Sequence, residues 1–130
     1  MSSRLFLSRR LIDRAQERLI TRFKGAHGLR DGTLLESALG RPINKAQYGD
    51  SNVFELAASY LFGLIRNMAY VDGNKRIAAV AAFVFLAENG YRLETSDAAL
   101  YVFVLAVTNG EIDEDGATRF LQDFSIPIGP

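Results

Sequence analysis

Apolar residues recur at helical spacing along most of the chain. Leu11, Ile12, Ala15, Leu19, Ile20 and Phe23 form one stripe, which predicts a first helix over about 8–24. Ser8 is its expected N-cap and Gly25 its expected stop. Gly25-Ala26-His27-Gly28 reads as a loop by composition. Asp31 should cap a short helix through Leu34, Leu35 and Ala38, ended by Gly40 and Pro42, with 43–50 irregular or briefly extended. Asn52-Val53-Phe54-Glu55 has the form of a capping box and opens a third helix running to about Met68. That helix is apolar on most sides and should be largely buried.

The segment Tyr70-Val71-Asp72-Gly73-Asn74 breaks the third helix, and a fourth follows from about Lys75 to Glu88, stopped by Asn89-Gly90. Residues 77–87 are all apolar, which predicts that this helix is the central one. Its many alanines would let neighbouring helices approach closely. Ser96 or Thr95 should cap a fifth helix near 97–108, and Asp113 a sixth near 114–124, with Pro127 beyond. The pattern predicts a compact all-α fold of six helices, one domain over 1–130, packed around a buried helix at about 75–88.

Composition adds limits. With 130 residues, 48% of them apolar and 23% charged, the chain can bury a core without disulfide or metal support. It has no Cys, which excludes disulfides, Cys-based zinc sites and thiol nucleophiles. Its single His, His27, argues against a His-rich metal site or a Ser-His-Asp triad. The opening Met1-Ser2-Ser3-Arg4-Leu5-Phe6 has no apolar leader core, and no run reaches the ~20 residues of a membrane span. A reducing, cytoplasmic setting without membrane contact is the expectation.

The net charge is zero, but the charges are segregated. Residues 1–30 carry eight basic side chains against Asp13 and Glu17, and residues 88–130 carry eight acidic ones against Arg92 and Arg119. Arg10, Arg14, Arg18 and Arg22 form an i, i+4 row on the first helix, which either meets an acidic partner or faces water. No interleaved aromatic row accompanies it, so direct nucleic-acid binding is not expected.

Candidate chemistry concentrates in Met68-Ala69-Tyr70-Val71-Asp72-Gly73-Asn74-Lys75-Arg76. Gly73 frees the backbone for a tight turn. The amide N–H groups at the following helix start suit an anion, and the helix dipole adds to the attraction. Lys75 and Arg76 bring two cations to a place where they oppose that dipole, a cost that a bound phosphate would reverse. Asp72 offers a hard oxygen for Mg²⁺ beside a phosphate. The same residues also suit an ordinary turn, with Asp72 as a cap and the cations solvated.

These residues resemble the Fic/Doc family, whose motif has the form His-x-Phe-x-(Asp/Asn)-(Gly/Ala)-Asn-(Gly/Lys)-Arg. Lys75 resembles the Doc ("death on curing") branch, because the Fic branch usually has Gly there. Gly28-Leu29-Arg30-Asp31 with Leu34-Leu35-Glu36-Ser37-Ala38-Leu39 is similar to the Doc N-terminal signature. Phe85-Leu86-Ala87-Glu88-Asn89-Gly90-Tyr91 is similar to the segment after the motif, so the likeness spans about 5–124.

The resemblance implies a Fic-type helical fold and a toxin of a toxin–antitoxin pair. It implies transfer of the γ-phosphoryl group of ATP, with Mg²⁺, to a hydroxyl of translation elongation factor Tu, which arrests translation; Fic relatives transfer AMP instead. Gly73, Asn74, Lys75 and Arg76 would hold the nucleotide, with Lys75 and Arg76 neutralising charge in the transfer. Asp72 would place Mg²⁺ or the target hydroxyl, and Tyr70 would be the aromatic anchor of the loop. The cognate antitoxin would be a partner, with the basic face of the first helix as one candidate contact.

Two positions depart from the family pattern. Tyr70 replaces Phe, and Met68 stands where the resemblance places the His that acts as general base. Methionine has no basic nitrogen. A positioned base contributes roughly 10²–10⁴-fold in rate, so the reaction should be weakened or abolished. The alternatives are a catalytically silent nucleotide- or antitoxin-binding variant, an AMP transferase, or a different base. His27 can supply that base only if the fold brings its loop to the motif.

Overall fold

A computed structural model describes residues 4–129; Met1 to Ser3, part of the stretch read for a leader, lie outside them. Six helices follow in chain order: α1 Arg9–Phe23, α2 Gly32–Gln47, α3 Val53–Asn67, α4 Asn74–Glu88, α5 Asp97–Thr108 and α6 Glu114–Asp123. Two short strands, β1 Tyr91–Leu93 and β2 Ser125–Pro127, pair antiparallel with Arg92 opposite Ile126. The all-α expectation holds apart from this ribbon, whose strands are too short to show alternation.

The helix starts follow local chemistry. Side chains of Ser8, Asp31, Ser96 and Asp113 each accept from an N–H in the first turn of the helix they precede. Asn52 and Glu55 form a complete reciprocal capping box on α3. The first helix stops one residue earlier than expected: Lys24 takes the left-handed conformation (φ 57°) and Gly25 follows it.

The centre of the molecule is α3, not α4. Eleven residues of α3 are buried, including Leu56, Ala57, Ala58, Tyr60 and Leu61. Six residues of α4 are buried, and its Phe83 is 42% exposed. An unbroken apolar run marks hydrophobicity but does not say how many neighbours a helix will have. Here α2, α4 and α6 all pack on α3. Gly63 lets α2 come close: a methyl group there would sit 3.3 Å from the Ala38 backbone.

The second helix also corrects the sequence expectation. It runs through Gly40 and Pro42 to Gln47, so 43–47 are helical. An interior proline costs about 3 kcal/mol in helix formation. Leu35, Ala38, Leu39 and Pro42 are buried together on one face, and Arg41 and Lys45 beyond them bond Glu114 at the start of α6. Those tertiary contacts carry the helix past its local stop signal.

No described helix is long and apolar enough to cross a membrane.

Candidate functional site

The site is built where α3 ends and α4 begins. Met68 terminates α3 in the left-handed region (φ 47°) and is 56% exposed. The Arg30 guanidinium caps that end, donating to the carbonyls of Met68 at 2.9 Å and Asn67 at 3.0 Å. A cation at a helix C-terminus also complements the dipole. The Asn67 amide reaches back to the Leu34 carbonyl at 2.8 Å and fixes α3 to α2.

The connecting loop is held from several sides. Arg30 and Asp31 both donate backbone N–H groups to the Ala69 carbonyl, at 2.7 and 3.0 Å. The Val71 N–H donates to the Gly28 carbonyl at 3.0 Å, and Leu29 pairs with Tyr70 as an isolated antiparallel bridge. Tyr70 is only 4% exposed. Its hydroxyl donates to Asp13 Oδ1 at 2.6 Å, and Arg9 bonds both Asp13 and Glu36. Burial, then the Asp13 hydrogen bond and charge, push the Tyr70 pKa well above its ordinary value.

Asn74 closes the loop on itself. Its side chain accepts from the Tyr70 N–H at 3.0 Å and donates to the Tyr70 carbonyl at 2.9 Å. The side chain is therefore committed to the loop, and what Asn74 offers an anion is its backbone N–H. Asp72 is similarly ordered: Oδ1 accepts from the Gly73 N–H at 2.8 Å and Oδ2 from the Ala26 N–H at 3.2 Å.

Gly73 enters α4 at φ 76°, and among the described residues no side chain caps this helix. Alone among the six helices, α4 has an N-cap in the left-handed region and no side-chain acceptor. The first-turn N–H groups of Asn74, Lys75 and Arg76 have no intrahelical partner by geometry. No acidic residue lies in that turn, and Lys75 and Arg76 are exposed. The Arg76 guanidinium lies 4.4 Å from the Phe23 ring centroid, with Arg22 at 5.6 Å. Arg76 is thus positioned on an aromatic platform at the end of α1.

Four contributors were not singled out in the sequence. Gln16, 5% exposed, donates from Nε2 to the Asp72 carbonyl at 2.7 Å. Its signal was visible as a polar residue midway between Ile12 and Ile20 on the buried stripe of α1. Asp13, Phe23 and Ala26 act through tertiary contacts with no local signature. Of the expected residues, Met68, Tyr70, Asp72, Gly73, Asn74, Lys75 and Arg76 all lie on this one loop and helix start.

A divalent ion would find one protein oxygen set here. Each Asp72 oxygen keeps a lone pair beyond its backbone bond, and no group of three or more acidic or His ligands exists among the described residues. One carboxylate plus substrate phosphates is a usual Mg²⁺ environment. The donor set fits Mg²⁺ brought with a nucleotide rather than a metal held by the protein alone.

The fold and this loop define a helical domain in which α4 starts at a left-handed glycine, without a side-chain cap and with two exposed cations in its first turn. Residues 6–86 match the Fic/DOC family, and the chain belongs to that family. It is similar to Protein kinase doc of Escherichia phage P1, with 34% identity over 104 residues, covering 79% of this chain and 82% of that protein. It is also similar to Toxin Doc of Mycolicibacterium smegmatis (strain ATCC 700084 / mc(2)155), with 42% identity over 73 residues, or 55% and 56% of the two chains.

Proposed function

We propose that this chain is a Doc-type toxin that binds Mg-ATP at the start of α4 and passes the γ-phosphoryl group to a hydroxyl of elongation factor Tu in the cytoplasm. The uncapped N-terminus of α4, with Lys75 and Arg76 in its first turn, carries this reading. Phosphoryl transfer needs chiefly alignment and neutralisation of charge spread over the phosphate oxygens. The backbone N–H groups of Asn74 to Arg76 would take phosphate oxygens, and Lys75 and Arg76 would neutralise them. Phe23 would keep the Arg76 guanidinium in place. Asp72, oriented by Ala26 and Gly73, would hold Mg²⁺ or the acceptor hydroxyl. The similarity to a phage protein kinase supports phosphoryl rather than AMP transfer.

Transfer of label from γ-labelled but not α-labelled ATP to purified elongation factor Tu tests the reaction. Label from the α position would turn the assignment to AMP transfer. Calorimetry with Mg-ATP tests the site itself: no heat, and no amide protection at Asn74 to Arg76, would remove the nucleotide from the reading.

Met68 favours a second reading, because a thioether cannot take a proton. In that reading the chain binds nucleotide and a cognate antitoxin without transfer. Co-elution with the antitoxin, together with Mg-ATP binding and no labelled product, would establish it.

A further inference from the structure

The segment containing His27 is pressed against the motif loop. On one side of His27, the Ala26 N–H donates to Asp72 Oδ2 at 3.2 Å; on the other, the Gly28 carbonyl accepts from Val71 at 3.0 Å. Glycines flank this approach. A Cβ at Gly25 would lie 2.6 Å from Asp72 Oδ2, and Gly28 sits at φ 132° with its Cβ position 3.2 Å from the Val71 side chain. His27 is thus carried by a fitted loop beside the residues that precede α4.

His27 is exposed, so its ring nitrogens are open to an incoming hydroxyl. It is the single imidazole in the chain, and there is no thiol. Of the nearby carboxylates, Asp13 holds Tyr70 and Arg9 and Asp31 caps α2, while Asp72, with a lone pair left on each oxygen beyond its backbone bond, is the group that would hold Mg²⁺. Lys75 and Arg76 are cations that suit phosphate, not proton abstraction.

We infer that His27 is a catalytic residue, the general base of this site, working from the opposing loop where Met68 cannot serve. This rests on the phosphotransfer reading above. The acceptor hydroxyl oxygen bonds to the γ-phosphorus of ATP. The bond from that phosphorus to the β–γ bridging oxygen breaks, and its electron pair leaves on ADP. The hydroxyl proton passes to a ring nitrogen of His27 and from there to solvent.

The test uses the full chain, γ-labelled Mg-ATP and elongation factor Tu. His27→Ala and His27→Gln should each lower the labelling rate by about 100-fold or more, while their affinity for Mg-ATP by calorimetry stays within about two-fold. Met68→His combined with His27→Ala should restore labelling, which a merely structural role for His27 would not allow. If His27→Ala and His27→Gln label as the unaltered chain does, His27 is not the base. If the unaltered chain is silent and Met68→His alone labels, His27 is again excluded while the phosphotransfer scaffold stands. If Met68→His is silent as well, the phosphotransfer reading falls and takes the His27 assignment with it.

Discussion

The Tyr70 hydroxyl donates a 2.6 Å hydrogen bond to Asp13 Oδ1, joining the motif loop to α1. Where the family resemblance places Phe, this chain has a ring with a polar tip, and α1 supplies the acceptor. Tyr70 is therefore held both by apolar packing and by a hydrogen bond to a carboxylate.

Tyr70→Phe should keep the packing and lose that bond. A hydrogen bond to a charged group contributes about 1.5–3 kcal/mol, and the half-exposed Asp13 places the loss near the lower end. Urea unfolding at neutral pH should show a lower midpoint and an unchanged slope. The alkaline limb gives a second check. Burial, opposed by the Leu7 hydrogen bond, also raises the Tyr60 pKa. Above about pH 10 an unfolded chain gives up tyrosine protons that the native chain keeps, so stability falls as pH rises. Tyr70→Phe should make that fall shallower.

Phe23→Ala should weaken nucleotide binding without unfolding the protein. Phe23 is 49% exposed, so little core is lost. Its ring positions Arg76, and a cation–π contact is worth about 0.5–2 kcal/mol. Calorimetry should show Mg-ATP affinity reduced by roughly 2- to 30-fold, with thermal stability nearly unchanged. Equal affinity in the variant would mean that Arg76 needs no platform.

Two helical glycines should respond with opposite signs. A methyl at Gly63 would meet the Ala38 backbone at 3.3 Å, so Gly63→Ala should destabilise by about 1–3 kcal/mol through overpacking. None of the described residues lies within 4 Å of the Cβ position at Gly40, so Gly40→Ala should stabilise α2 by about 0.5–1 kcal/mol. Chemical denaturation of the two variants side by side checks both.

Glu114 should make acid costly. Burial raises its pKa, but the Arg41 hydrogen bond and charge, with Lys45, outweigh burial and hold it below its ordinary value. A depressed carboxylate contributes stability above its unfolded pKa and loses it as pH falls through the folded value. Glu114→Gln should lower stability at pH 7 by about 1–2 kcal/mol and flatten the decline below about pH 4.5. Unfolding curves at pH 7 and at successively lower pH would show it.

Much of the architecture was legible because helix signals are local. Caps at Ser8, Asp31, Asn52, Ser96 and Asp113 stand within three residues of the N–H groups they satisfy. The loop between α3 and α4 was legible for the same reason: Gly73 and the cations of the first turn are neighbours in the chain.

Three features depended on residues far apart in sequence. α2 passes Pro42 because its buried face and the Arg41–Glu114 pair favour continuation. The ribbon of Tyr91–Leu93 with Ser125–Pro127 needs both ends of the last two helices to meet. The central position belongs to α3 because centrality depends on how many helices pack around an element, which an apolar run alone does not specify.

The sequence by itself determined the six helix starts and the glycine turn at 72–76 with its two first-turn cations, because caps, glycine conformation and dipole effects act over one helical turn. The tertiary structure alone decided what surrounds that loop. It brought Gln16 to the Asp72 carbonyl, Phe23 to Arg76 and the His27 segment to Val71 and Asp72. Those partners lie more than forty residues away along the chain, so only the packing of α1 and the 25–31 loop against the centre could select them.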